Sequence, residues 1–155
     1  MSLIKINNEN LQDALYLFLG LYEPLTGFMN KYEYDSVLKK MLLKDGSIWT
    51  LPITLDVAKE EYENALIRSK VRLVYEKKDV GFIEITDCFK INQKKDVKHI
   101  FDTTDMNHPG VNKESCRSPY RVGGKVVIED NELLERSINP QKTKKYFLAK
   151  NWGKI

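Results

Sequence analysis

Residues 24–57, PLTGFMNKYEYDSVLKKMLLKDGSIWTLPITLDV, decide how this chain is read. Pro24 and Gly27 mark a loop over 23–28. Asn30 is placed to cap a helix over 31–41, whose Tyr34, Val37, Leu38 and Met41 share one face. Asp45-Gly46 is a turn signal. A strand over 49–57 follows. Its Ile53, Leu55 and Val57 alternate with Thr54 and Asp56, as in a half-buried strand. Pro52 points to an edge position or an irregular entry.

Outward from this stretch, Leu11, Ala14, Leu15, Phe18 and Leu19 recur at helical spacing over 9–19. Asn8 or Asn10 can cap that helix, and Gly20 ends it. A helix charged on one side is expected over 58–69. Strands are expected over 71–75 and 80–86, joined by a hairpin at Lys77-Lys78-Asp79. A short helix over 94–101 leads to a stretch over 102–120 rich in Asn, Pro, Gly and Ser. Loops of that length in compact domains are usually functional or form interfaces. A strand over 124–128 and a helical turn over 131–136 come next. Asn139-Pro140 then provides a cap and first-turn proline for a last helix to about residue 150. Helices and strands intersperse without regular βαβ alternation. The expected class is α+β, a small mixed or barrel-like sheet flanked by helices.

The bulk numbers set bounds. A length of 155 residues suits one domain with at most a short appendage. The net charge of +3 and pI near 8.7 neither demand nor exclude a nucleic-acid partner. Cys88 and Cys116 lack CxxC spacing, which argues against a zinc site or disulfide framework and for reduced thiols in the cytoplasm. No apolar run approaches the roughly 20 residues that span a bilayer. The start, MSLIKINNEN, lacks the apolar region of a secretory signal.

Several constellations carry two readings. Gly123-Gly124-Lys125 is too short for a phosphate-binding P-loop and reads as a glycine turn into a strand. His99, Asp102, Asp105 and His108 lie three apart in sequence. A metal site is chemically open to them, but on a helix they drift off one face, and solvated or structural roles are favoured. Pro109-Gly110 and Thr103-Thr104 argue against a helix through this region. Asp105 is suited to an Asx turn. Pro109 forces His108 extended, and Gly110 permits a reversal. Gly27 allows a special backbone angle or a close approach. Phe28 anchors either an inter-domain contact or the local core. Lys142, Lys144, Lys145 and Lys150, with Tyr146 and Phe147 nearby, form a basic stretch. It reads as a solvated helix face rather than an RNA-binding one, because the acidic run Glu129-Asp130-Asn131-Glu132 precedes it.

Taken in order, these residues form a wider pattern: Gly20, Tyr22, Pro24-Leu25, Gly27-Phe28-Met29, Asp45-Gly46, Trp49, Pro52-Ile53-Thr54-Leu55-Asp56, Thr103-Thr104-Asp105, His108-Pro109-Gly110-Val111 and Val122-Gly123-Gly124. The pattern resembles the N-terminal domain of the ATP sulfurylase (sulfate adenylyltransferase) family. The resemblance implies a PUA-like pseudo-barrel over 1–138. It also implies that 139–155 is a helix leading toward a catalytic domain, with the family's Gly-Trp turn reversed to Trp152-Gly153. The family joins ATP and sulfate into adenylyl sulfate and pyrophosphate. Its Gln-x-Arg-Asn-Pro and His-x-Gly-His motifs, which bind sulfate and the ATP phosphates, are not in this sequence.

The expected role is therefore a non-catalytic module that scaffolds the catalytic domain, in cis or in trans, and is inactive alone. Magnesium and ATP are implied for the complete enzyme, and no cofactor is expected in this chain. The residues expected to face the catalytic domain are Gly27, Phe28, Thr104, Asp105, His108, Pro109, Gly110 and Trp152. The plain alternative is that the 102–111 loop only closes a turn. Homo-oligomerisation is open, and neither membrane nor RNA is an expected partner. A stand-alone PUA-like binding module, for RNA, is the competing function.

Overall fold

The computed structural model describes residues 3–43, 45–49 and 51–137. Everything expected of 138–155, including Trp152 and the terminal helix, lies outside these residues.

The first helix, α1 (Asn8–Phe18), follows a short strand, β1 (Leu3–Lys5). Its cap is Asn7 rather than Asn8 or Asn10: the Asn7 side chain accepts from the backbone N–H of Asn10 at 2.8 Å. Gly20 adopts a left-handed φ of 78° just beyond the helix end, where a Cβ is disfavoured. β2 (Gly27–Phe28) is followed by α2 (Lys31–Lys40). Asn30 accepts from the Glu33 N–H, and Glu33 reaches back to the Asn30 N–H, so two otherwise orphaned donors are satisfied at once.

The expected strand over 49–57 shrinks to β3 (Leu55–Val57). Pro52 has no N–H to offer a ladder. The stretch before β3 is held by single bonds, Trp49 N to Met41 O and Met29 N to Ile53 O. α3 (Lys59–Ala65) is also shorter than expected, because Ser69 already accepts from the Ile85 N–H at the sheet margin.

β4 (Lys70–Tyr75) and β5 (Lys78–Lys90) form the hairpin, with Glu76 and Lys77 both at positive φ in its turn. β6 (Tyr120–Ile128) runs antiparallel to β5 along nearly its whole length. α6 (Asn131–Ser137) closes the described chain. The acidic run before it has local work to do. Glu129 pairs with Arg72 at 2.6 Å, and Asp130 accepts from the N–H groups of Glu132 and Leu133.

The six strands form one mixed sheet in the order β1-β4-β5-β6-β2, with β3 also pairing with β6. β1 is parallel to β4 and the remaining pairs are antiparallel. The sheet is curved around its contents but not closed. β1 and β2 occupy opposite ends and do not pair, so the barrel-like expectation is met only as an open sheet. The inward rows are set by register. Val71, Ile83 and Val126 line up across β4, β5 and β6, and all are buried in one apolar cluster with Leu11, Ala14 and Leu15 of α1. No helix among the described residues is long and apolar enough to cross a membrane.

Candidate functional site

β5 ends at Lys90 and its partner β6 begins at Tyr120, directly opposite. Everything between is an insertion into one hairpin. It contains two helices rather than one long loop: α4 (Gln93–Phe101) and α5 (Pro109–Ser115). The second corrects the reading of 102–120 as one loop, while no helix runs through Thr103-Thr104, as expected. Pro109 occupies the first turn, where its missing N–H costs nothing. His108 is extended, with ψ 122°, as the following proline requires. Its Nδ1 accepts from the N–H groups of Gly110 at 3.1 Å and Val111 at 3.4 Å, so His108 is the cap. This bond fixes the neutral ring as the Nε2–H tautomer and leaves Nε2 free of the cap.

Gly110 makes no reversal. It lies inside α5, and a Cβ there would sit 2.5 Å from Cε1 of Phe101. The Phe101 and His108 rings meet in a tilted contact, 5.2 Å between centroids and 45° between planes. Between α4 and α5, Asp105 accepts from the Asn107 N–H at 2.9 Å, the expected Asx turn. Thr104, Asp105, Met106, Asn107, His108 and Pro109 are all exposed on one tight connection.

The other expected residues divide. Gly27 lies on a different element, paired with Lys125 of β6. Its role is close approach, since a Cβ would stand 2.0 Å from the Gly124 carbonyl oxygen. Gly123-Gly124 is not a turn into a strand but the middle of β6, and a Cβ on Gly124 would meet the Glu84 carbonyl at 2.1 Å. Phe28 is 3% exposed in the main core, so its ring faces the interior and not a partner. The structure therefore keeps Thr104, Asp105, His108, Pro109 and Gly110 together and separates Gly27 and Phe28 from them.

Where α5 meets the sheet lies a buried charge network with no single local signal in the sequence. Arg121 of β6 is 1% exposed. Its guanidinium donates in three directions: to Glu114 Oε1 at 2.6 Å, to Thr54 Oγ1 at 2.8 Å and to the Ser118 carbonyl at 2.9 Å. Arg117 donates to Asp56 Oδ1 at 3.0 Å, to the Thr54 carbonyl at 2.7 Å and to Glu114 Oε2 at 3.2 Å. Asn10 of α1 adds a bond to Asp56 at 3.3 Å. Two cations and two carboxylates thus balance, and α1, β3, α5 and β6 are tied at one point.

The electrostatics follow from that balance. Burial by itself raises the Asp56 carboxyl, but Arg117, Arg121 and Asn10 outweigh it and hold it below the usual range. Burial disfavours a charged Arg117, yet Asp56 and Glu114 more than compensate and its pKa rises. For Arg121, burial and the neighbouring Arg117 win, and its pKa falls. A second buried bond runs from Tyr34 Oη to Asp96 Oδ2 at 2.7 Å and fastens α4 to α2. Burial, then this carboxylate, pushes the Tyr34 phenol upward.

Among the described residues no three His, Cys, Asp or Glu side chains come together in a way that could hold a metal ion. His99, Asp102, Asp105 and His108 are spread along α4, its cap and the connection. The arrangement presents a solvent-facing connection beside a helix, α5, that the charge network fastens to the sheet.

The family pattern described as "PUA-like domain" matches residues 1–131. A sulfate adenylyltransferase of Entamoeba histolytica is 34% identical over 163 aligned positions, covering 98% of this chain and 38% of that protein. One from Desulforamulus reducens is 30% identical, covering 100% and 42%. A probable bifunctional SAT/APS kinase 2 of Sorangium cellulosum is 30% identical, covering 100% and 28%. Among solved structures, a hexameric APS kinase from Thiobacillus denitrificans superimposes with a TM-score of 0.51 at 22% identity, over 82% of this chain and 21% of that one. That likeness concerns the fold alone. The chain spans well under half the length of these curated relatives.

Proposed function

The chain belongs to the PUA-like domain family, and from that premise we propose that it serves as the N-terminal, non-catalytic module of a sulfate adenylyltransferase, scaffolding the catalytic part. The observation that carries this reading is the asymmetry of coverage. The match takes in 98–100% of this chain but 38–42% of the sulfate adenylyltransferases it resembles. The parent reaction is ATP plus sulfate giving adenylyl sulfate and pyrophosphate, in the cytoplasm.

Attack of sulfate on the α-phosphorus needs fixed donors and cations on both anions. The described residues do not fit magnesium or the ATP phosphates. The one glycine pair is sealed by the Met29 and Glu84 backbone contacts, and the buried arginines are already engaged by Glu114, Asp56 and Thr54. We assign the nucleotide, the metal and the chemistry to the remainder of the enzyme, and no step of the reaction to this chain. The part contributed here is the exposed 104–109 connection, as a contact surface for the catalytic part, in cis or in trans.

Pyrophosphate release from ATP, magnesium and sulfate tests this, using the chain alone and mixed with a separately produced catalytic part. Silence alone and activity on mixing is the expected result. Activity of the chain alone refutes the assignment. Silence in both, with co-sedimentation of the two parts also absent, favours an independent PUA-like binding module, and an RNA titration then decides that alternative.

A further inference from the structure

α4 has a one-sided burial pattern. Asp96 and Val97 are buried, Gln93, Ile100 and Phe101 are half-buried, and Lys94, Lys95, Lys98 and His99 are exposed. Every fully exposed position of the helix is therefore basic or a histidine. The stripe contains no carboxylate of its own, because Asp96 points inward to Tyr34. The surface ion pairs of the described residues involve Lys31, Arg72, Lys78, Lys113 and Arg136, and none involves Lys94, Lys95 or Lys98.

Helix physics disfavours part of this placement. Lys94 and Lys98 are i,i+4 neighbours, a spacing at which like charges destabilise a helix. Lys94 and Lys95 also sit in the first turn, where the positive end of the helix dipole repels cations. Lys98 and His99 lie in the last turn, where the dipole suits a cation, so it is Lys94 and Lys95 that are kept against the local preference, and none of the three lysines has an ion-pair partner among the described residues. The aromatic rings nearest in sequence and packing are buried (Tyr34, Phe89) or packed against His108 (Phe101). A strand of nucleic acid wants exposed aromatic platforms as well as charge, and this face supplies charge only.

We propose that the Lys94–Lys95–Lys98–His99 face of α4 is a docking surface for an acidic polypeptide segment, a stretch of Glu or Asp on another protein. This surface is distinct from the 104–109 connection and does not depend on the assignment to sulfate adenylyltransferase. Charge complementarity selects the partner. With four groups on about 8 Å of helix, two turns of an acidic helix or a short acidic strand suffice to cover it.

The probe is fluorescein-labelled poly-L-glutamate of about 20 residues, titrated by anisotropy against the whole chain at 20 and 300 mM salt, a range over which surface charge interactions are strongly screened. The expected result is saturable binding at low salt, lost at high salt, with amide shifts in 15N NMR confined to α4 and its flanks. K94E/K98E is expected to weaken binding at least about tenfold. K59E/K77E has the same change in net charge on α3 and the β4–β5 turn, and it is expected to leave binding within about twofold. Circular dichroism checks that both variants fold. Equal losses in both variants mean that net charge alone drives binding, and they overturn the proposal. So do absent binding, shifts centred elsewhere, or tighter binding of a 20-nucleotide poly(U), which moves the face to nucleic acid.

Discussion

Replacing Arg121 by Met tests whether the charge network is the foundation of the candidate site. The side chain is 1% exposed and makes three hydrogen bonds, to Glu114, Thr54 and Ser118. Removing one partner of a buried pair typically costs about 3–5 kcal/mol, because the other charge is stranded. Two features of this site pull the value down. Glu114 keeps Arg117 at 3.2 Å and so is not fully orphaned. The two guanidinium groups also repel each other, and that repulsion vanishes with Arg121. The Met side chain recovers part of the buried apolar contact. The net expectation is a loss of about 3 kcal/mol, or a fall in melting temperature of about 6–12 °C for a domain of this size. Arg121→Met/Glu114→Gln removes the stranded carboxylate as well and is expected to lose less than Arg121→Met alone. Thermal denaturation at pH 7 measures both. A loss below about 1 kcal/mol for Arg121→Met, the level of an exposed ion pair, refutes the reasoning.

Other outcomes follow from the same geometry. Gly27→Ala places a Cβ against backbone at Gly124, which cannot rotate away, so it is expected to lose about 3 kcal/mol or more by overpacking. Urea denaturation checks it. Phe28→Ala is expected to cost about 3–5 kcal/mol of stability as a core deletion, with any docking defect following unfolding and removed by assaying at lower temperature. His108→Ala is expected to cost about 1 kcal/mol as a lost cap, whereas His108→Asn keeps an acceptor and restores stability. If docking to the catalytic part is still lost in His108→Asn, the free Nε2 side of the ring is the contact. For Asp56, a folded-state pKa below the unfolded value of about 3.9 means that the stabilisation is present above that pH and disappears as pH falls through the folded value. The gap in melting temperature between the natural chain and Asp56→Asn is therefore expected to be flat from pH 7 to about 5 and to close in more acid solution. A gap that widens on acidification contradicts the sign.

What the sequence discloses and what it hides follow from the range of each interaction. The helix over 31–40 was legible because its signals are local: Asn30 as a cap, and Tyr34 and Val37 one turn apart, both buried. The inward alternation of Ile53, Leu55 and Val57 was legible too, but not the length of the strand, which depends on whether β6 reaches it. It reaches only Leu55 to Val57. Thr54 breaks the expected alternation and is buried because Arg121, 67 residues away, claims its hydroxyl. Pro109-Gly110 was read as a reversal, although a proline after a side-chain acceptor is equally a helix start. Only the Phe101 ring behind Gly110 shows which applies. Phe28 was open between core and interface because an aromatic suits both.

The insertion between β5 and β6 is attached by a different physics from the body of the domain. Val97 and Val111 are buried, yet they belong to neither the main apolar cluster nor the smaller one of Tyr34, Phe89 and Ile91. What joins the α4–α5 unit to the rest of the domain is chiefly directional: Arg121 to Glu114 and Arg117 to Asp56 reach the sheet and Tyr34 to Asp96 reaches α2, while Gln93 to the Glu114 and Arg117 carbonyls braces the unit internally. Apolar packing is tolerant of small rotations, whereas a guanidinium held from three sides admits one orientation. A surface that must meet a second domain at a set angle gains from the second kind of attachment. The domain can thus lose core volume, as in Ile83→Val, and keep the 104–109 connection in register. Loss of the Arg121–Glu114 bond shifts that connection while the main core stays packed. Comparing hydrogen exchange in α4 and α5 with that in β4 and β5 for these two variants separates the effects. Equal loosening of both regions in Arg121→Met shows instead that the insertion and the sheet unfold as one unit.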